Sequence, residues 1–149
     1  MLPMAESATQ TITVAASPEH CFAVAIDFPR YPEWAKDVKE ATVLDTDADG
    51  HPTRVEFRAS ALGRSTHYTL AYDYSAAPEK LSWQLVHGDI TRAIDGAYTF
   101  TPSAAGPGST DVTYELSIEL IVPLPGFVKR RAEVRILNTV KELKARAEA

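Results

Sequence analysis

Few side chains in this sequence have the type and spacing for chemistry. The four histidines, His20, His51, His67 and His87, show no HxxxH step, no cysteine pair and no adjoining carboxylate cluster, so neither a metal site nor another cofactor is expected. His67 falls on the outward side of a strand, His51 and His87 fall in turns, and His20 falls on a helix. None is placed as a general base for a molecule held inside a sheet, although a register slip of one residue would bring His67 inward. Cys21 reads as a small apolar residue of the first helix, and no GxSxG elbow offers a serine nucleophile. The stretch "AAGPGST" lacks the lysine and the strand-to-helix setting of a phosphate loop. Tyr68, Tyr98, Tyr114 and Arg92 remain as polar groups on the inward parity of their strands. A phenol titrates near ~10, which makes this a thin set for acid–base work but a good one for holding a ligand: a ring stacks while its hydroxyl finds a partner.

The elements that must carry these residues follow from periodicity. "TQTITVA" alternates as a strand, and residues 1–8 are expected to precede it as a flexible tail. In "SPEHCFAVAIDF", Ser17 caps a helix, Pro18 suits its first position and Glu19 complements the dipole. "DFPRYPEW" then breaks the helix at its prolines and allows a second short helical turn carrying Trp34. From Val38 the pattern is β almost without interruption. The segments "VKEATVLDT", "TRVEFRASA", "STHYTLAYDYS", "KLSWQLV", "ITRAIDGAYTFTP" and "DVTYELSIELIV" are joined by turns of hairpin length, among them Leu62-Gly63-Arg64. Pro123 and Pro125 end the pairing and Gly126 allows a sharp entry to a last helix, whose stripe is Val128, Ala132, Ile136, Val140, Leu143 and Ala147. The order is strand, two short helices, six strands, long helix. A sheet that wide must curl, and its apolar face needs the last helix as cover.

The chain of 149 residues fits a single domain, 1–149, with 45% apolar and 23% charged residues. Its net charge of −5 argues against nucleic-acid binding, which requires a concentrated positive surface. The last helix is locally basic through Lys129, Arg130, Arg131, Arg135, Lys141, Lys144 and Arg146, a solvated face that could also meet an anionic membrane or an acidic partner. One cysteine permits no intrachain disulfide, no run of ~18 apolar residues spans a bilayer, and the opening residues carry no signal-peptide pattern, so a reducing, cytoplasmic setting is expected.

Three stretches together resemble the START-like, or helix-grip, superfamily, and within it the polyketide cyclase/dehydrase and lipid-transport group with its coenzyme-Q-binding relatives. They are "ITVAASPEHCFAVAIDFPRYPEW", "LSWQLVHGDITRAIDGAYTFTP" and "STDVTYELSIELIVPLPGFVKRR", in that order. The resemblance covers nearly the whole chain. It implies an α+β fold in which a seven-stranded antiparallel sheet curves around a long C-terminal helix and holds an apolar ligand between them, with the strand-to-helix turn framing the entrance. The fold alone does not fix the chemistry.

On that framework the concave face receives Phe57, Tyr68, Leu70, Tyr72, Trp83, Leu85, Ile94, Tyr98, Phe100, Val112, Tyr114, Leu116 and Ile118. Ligand contacts are expected from Phe57, Tyr68, Tyr72, Trp83, Arg92, Tyr98, Tyr114, Leu116 and Arg131, joined by Phe127 near the rim. Any single one of these rings could equally fill a core, because lining and core look alike in sequence. Arg92 shares the parity of Ile94 and Tyr98 and is expected to point inward, where it needs a carboxylate, a ligand anion or the cavity mouth. The leading expectation is binding or transport of a hydrophobic or amphipathic small molecule: a lipid, an isoprenoid quinone or a polyketide-like ring compound. The alternatives are aromatase/cyclase or dehydratase chemistry on a poly-β-keto substrate, and a membrane or partner module using the basic helix.

Overall fold

The computed structural model describes residues 5–61, 64–121 and 138–149. Seven strands, Ala5–Val14 (β1), Val38–Thr46 (β2), Pro52–Ala61 (β3), Arg64–Asp73 (β4), Lys80–Gly88 (β5), Thr91–Pro102 (β6) and Thr110–Leu120 (β7), form one antiparallel sheet in the order β1-β7-β6-β5-β4-β3-β2. From β2 to β7 each strand lies beside the next in sequence, as short turns require. Only β1 departs from this rule, pairing with β7 so that β1 and β2 form the two edges. The chain between them must therefore cross the full width of the sheet. It does so through α1 (Pro18–Ile26) and a 3₁₀ helix (Phe28–Glu33).

Local chemistry sets these two helices. Ser17 accepts a hydrogen bond from the His20 amide at 3.2 Å, and Pro18 occupies the first turn, where its missing N–H costs nothing. The helix breaks at Asp27, beyond which Pro29 and Pro32 cannot donate to a continued α-ladder. Tyr31 closes the break by donating its hydroxyl to the Ala25 carbonyl at 2.5 Å, satisfying a terminal acceptor that would otherwise be buried unpaired.

Residues 138–148 are helical, with Val140, Leu143 and Ala147 buried at steps of three and four. Polar contacts fasten this helix to both ends of the crossover. Glu148 accepts from the Ala15 amide at 2.8 Å, Lys144 donates to the Thr13 carbonyl at 2.9 Å, Glu142 accepts from the Lys36 amide at 3.0 Å, and Arg146 donates to Glu33 at 2.9 Å. Lys144 and Arg146, expected from sequence in a solvated basic face, are thus engaged within the fold. The segments expected from sequence to form the earlier turns of the helix, the corner at Pro123–Phe127 and the turn at Leu62-Gly63, as well as Arg131, lie outside the described residues. Residues 5–8, expected in a flexible tail, instead pair with β7, Ala5 opposite Glu119.

Candidate functional site: the concave aromatic face

Register assembles the inner face row by row. Tyr72 stands opposite Trp83, Trp83 opposite Gly96, and Gly96 opposite Leu116; in the next row Leu81, Tyr98 and Tyr114 are aligned. Side chains directly opposite in an antiparallel pair share a face. Gly96 is what lets Trp83 lie down in its row: a Cβ there would stand 2.3 Å from the indole Cε2. The indole consequently reaches Tyr98 (ring centroids 5.3 Å apart), Tyr114 (6.0 Å) and Tyr72 (5.7 Å), and Tyr98 meets Tyr114 at 4.9 Å.

A second set of rings arrives from the crossover. Phe28 packs on Tyr72 at 4.6 Å and on Phe57 at 6.0 Å, Tyr31 meets Trp34 at 4.6 Å, and Phe57 stacks on Tyr68 at 5.3 Å. Sequence reasoning treats Phe28 and Tyr31 only as parts of a helix break. Their signal is the pairing of aromatic residues with prolines in "DFPRYPEW": the prolines stop the helix, and the rings are carried to the sheet.

Packing across this face is uneven. Phe57, Trp83, Tyr98, Tyr114 and Leu116 are buried against their neighbours, whereas Tyr68, Tyr72, Leu85 and Ile118, all on the inward parity, keep part of their surface uncovered. Tyr68 and Tyr72 are nevertheless deep. Desolvation pushes the Tyr68 phenol up to about 12, with the nearby Asp37 carboxylate adding to the rise. It pushes Tyr72 well above the usual phenol range, reinforced by the surrounding tyrosines. Tyr68 and Tyr72 thus pack against the core on one side and keep part of their surface uncovered on the other. Tyr98 is raised by the same desolvation, and Tyr114 too, partly offset by a hydrogen bond with Thr139 of the terminal helix. With their pKa values raised, these phenols stay protonated near neutrality, the form that has a hydrogen to donate.

Arg92 is not on this face. Its side chain is 61% exposed, with Nη1 3.6 Å from a Glu119 carboxylate oxygen. The cause is a register shift between Thr91 and Ala93 in the β6–β7 pairing, a bulge that leaves Arg92 unpaired and reverses the parity read back from Ile94. Phe127 and Arg131 lie outside the described residues.

The outer face is different in kind. Its rows are Asp73, Ser82, Ala97, Glu115, Thr9 and Ala71, Gln84, Asp95, Ser117. Small side chains leave an open trough of about 660 Å³ there, edged by Asp73, Lys80, Asp95 and Glu115. Of the histidines, His67 is exposed on the outside, with Nδ1 3.8 Å from Asp89. His51, expected to lack a carboxylate cluster, has one: Asp47, Asp49 and His51 place potential ligand atoms within 4.8 Å. Asp47 Oδ1 accepts from the amides of Asp49 and His51, both at 2.9 Å, so the group is the hydrogen-bonded turn between β2 and β3. The His51 imidazole stacks on Tyr74 at 4.6 Å.

Comparison with known proteins agrees with this architecture. Residues 5–148 match the family model described as polyketide cyclase / dehydrase and lipid transport. Among solved structures, a START superfamily protein from Mycobacterium smegmatis is 29% identical with a TM-score of 0.86, over 95% of this chain and 97% of that one. A protein from Thermus thermophilus is 19% identical (TM-score 0.76; 95% and 97% covered). The Zhui aromatase/cyclase from Streptomyces sp. R1128 is 13% identical (TM-score 0.78; 97% and 94% covered). The fold is the START-like helix grip. Among curated proteins no sequence matches.

Proposed function

We propose, from the premise that the chain belongs to the polyketide cyclase/dehydrase and lipid-transport family, that it binds and carries a hydrophobic or amphipathic small molecule between the concave face and the terminal helix. The observation that carries this reading is the pair Tyr68 and Tyr72, deep on the inner face yet incompletely covered. Burial of ligand apolar surface supplies affinity at about 25 cal/mol per Å². The phenols, held protonated, fix orientation without committing to proton transfer. Turnover of a poly-β-keto substrate asks for a group that exchanges protons near neutral pH, whereas the inward positions of β3 to β7 described above offer rings, aliphatic side chains and neutral hydroxyls; this favours binding over catalysis. The candidate contacts are Tyr68 and Tyr72 at the hollow, backed by Phe57, Trp83, Tyr98, Tyr114 and Leu116, together with Arg131 and, near the rim, Phe127.

The test is uptake after delipidation. The protein, stripped of organic-extractable material, is incubated separately with a long-chain fatty acid, an isoprenoid quinone and a polycyclic aromatic ketone, then examined by native mass spectrometry. Stoichiometric one-to-one uptake of at least one is expected, and weaker uptake by Tyr72→Ala. Uptake of none overturns the reading.

A further inference from the structure

The bulge that expels Arg92 from the inner face brings its neighbour in. Thr91 stands opposite Leu120, which continues the inward parity of Tyr114, Leu116 and Ile118. The Thr91 side chain is placed by a gap in β5: a Cβ on Gly88 would come 2.2 Å from Thr91 Oγ1, 3.3 Å from Tyr68 Cβ and 3.5 Å from Leu85 Cδ1. The hydroxyl therefore fills the room that Gly88 leaves, beside Tyr68 and Leu85, two of the incompletely covered residues of the hollow. Thr91 is only 8% exposed, and its Oγ1 is buried with no hydrogen-bond partner. Burying a hydroxyl unpaired is unfavourable unless something else is gained from it.

We infer that Thr91 is the polar recognition point of the hollow, donating its hydroxyl to a carbonyl or hydroxyl oxygen on an otherwise apolar ligand. This rests on the reading of the interior as a container and adds the ligand's class: an uncharged amphiphile whose oxygen enters beside Gly88 and Tyr68. Arg92, the cation that alternation would have supplied here, faces outward beside Glu119. One hydroxyl that can donate or accept suits a neutral oxygen.

Two probes of the same tricyclic shape, fluorene and 9-fluorenone, differ only in a methylene against a carbonyl. Both are titrated into wild type, Thr91→Val and Thr91→Ser, and binding is followed by quenching of tryptophan fluorescence, since Trp83 stands on the inner face. Wild type and Thr91→Ser are expected to prefer fluorenone. Thr91→Val is expected to bind fluorenone about three- to ten-fold more weakly, the worth of one net hydrogen bond, and fluorene as well as before. Equal loss for both probes, or for neither, overturns the inference while leaving the container intact; failure of wild type to bind either probe also overturns the inference, and the container is then decided by the uptake test above. A ligand-free control is independent of both: Thr91→Val should melt no lower than wild type, and a lower melting temperature would mean that the hydroxyl already has a partner within the fold.

Discussion

The two faces of β4 to β7 are built from alternate residues of the same strands, yet they solve opposite problems. On the inner face Tyr72, Trp83, Leu116, Tyr98 and Tyr114 pile ring upon ring, and one glycine, Gly96, is kept bare so that an indole can lie flat. On the outer face the same rows carry Ala71, Ser82, Ala97 and Ser117 with carboxylates at Asp73, Asp95 and Glu115, and the trough between them is open to water. Volume alone would direct attention to the outer trough. Chemistry directs it inward, because an apolar ligand gains affinity from rings and methylenes removed from water and gains little from serine hydroxyls already solvated.

The contrast can be broken first by substituting consecutive residues of β6. Phe100→Ala, at a position 2% exposed, is expected to cost about 3–5 kcal/mol of unfolding free energy. Thr99→Ala, one residue earlier on the other face, should cost at most about 1 kcal/mol, the span of strand propensity. Denaturant melts of the two variants measure the difference, and equal losses would mean that the faces are not distinct. Next in size is Gly96→Ala. The added methyl would meet the Trp83 ring, so a loss of about 1–3 kcal/mol is expected, together with a shift in tryptophan emission that Asp95→Asn, its outward neighbour, should not produce.

A third prediction concerns alkaline pH. All six tyrosines, Tyr31, Tyr68, Tyr72, Tyr74, Tyr98 and Tyr114, have phenols raised chiefly by burial, Tyr68 to about 12. Because the folded state resists ionisation, stability from this source is full below the unfolded value near ~10 and declines as pH rises from there toward the folded values. Tyrosinate absorbance should stay low through about pH 10 and then rise together with loss of structure. Ordinary titration of several tyrosines in the folded protein would show the inner face to be wet.

The smallest effect lies at the turn between β5 and β6. Asp89 accepts hydrogen bonds from the Thr66 hydroxyl and, at 3.0 Å, from the His67 amide, and these bonds hold its carboxyl below the usual range, with the Thr66 bond foremost. A lowered carboxyl pKa adds stability above the unfolded value near ~3.9 that is lost as pH falls through the folded value. Asp89→Asn should therefore melt slightly below wild type at neutral pH. The gap should close under acid, and a gap independent of pH would contradict this account.

Most of the fold was legible because its signals are local. Period-two alternation marked the strands, Ser17-Pro18 marked the helix start, and the prolines of "DFPRYPEW" marked its break. Parity then placed Phe57, Tyr72, Trp83, Tyr98 and Tyr114 on one face. It failed at Arg92 because alternation assumes an unbroken ladder, and a bulge at Thr91/Ala93 leaves no residue-type signature strong enough to read. Thr91 escaped notice for the same reason. Uneven packing was also invisible, since Tyr72 and Tyr98 look alike in sequence; Tyr98 is enclosed by Trp83, Phe100 and Tyr114 from neighbouring positions of the sheet, whereas Tyr72 stays partly uncovered although Phe28 packs on it. The carboxylates beside His51 were two and four residues away, yet the turn that gathers them is formed by backbone hydrogen bonds to Asp47.

The most direct test is an isotope-filtered NOE experiment on the labelled protein with unlabelled 9-fluorenone. Ligand protons should show contacts to the rings of Tyr68 and Tyr72 and to the methyls of Leu85 and Ile118, and none to Ala71, Ser82 or Ala97. Contacts confined to those outer residues, or none to any ring of the inner face, would contradict the claim that the curved sheet encloses its guest.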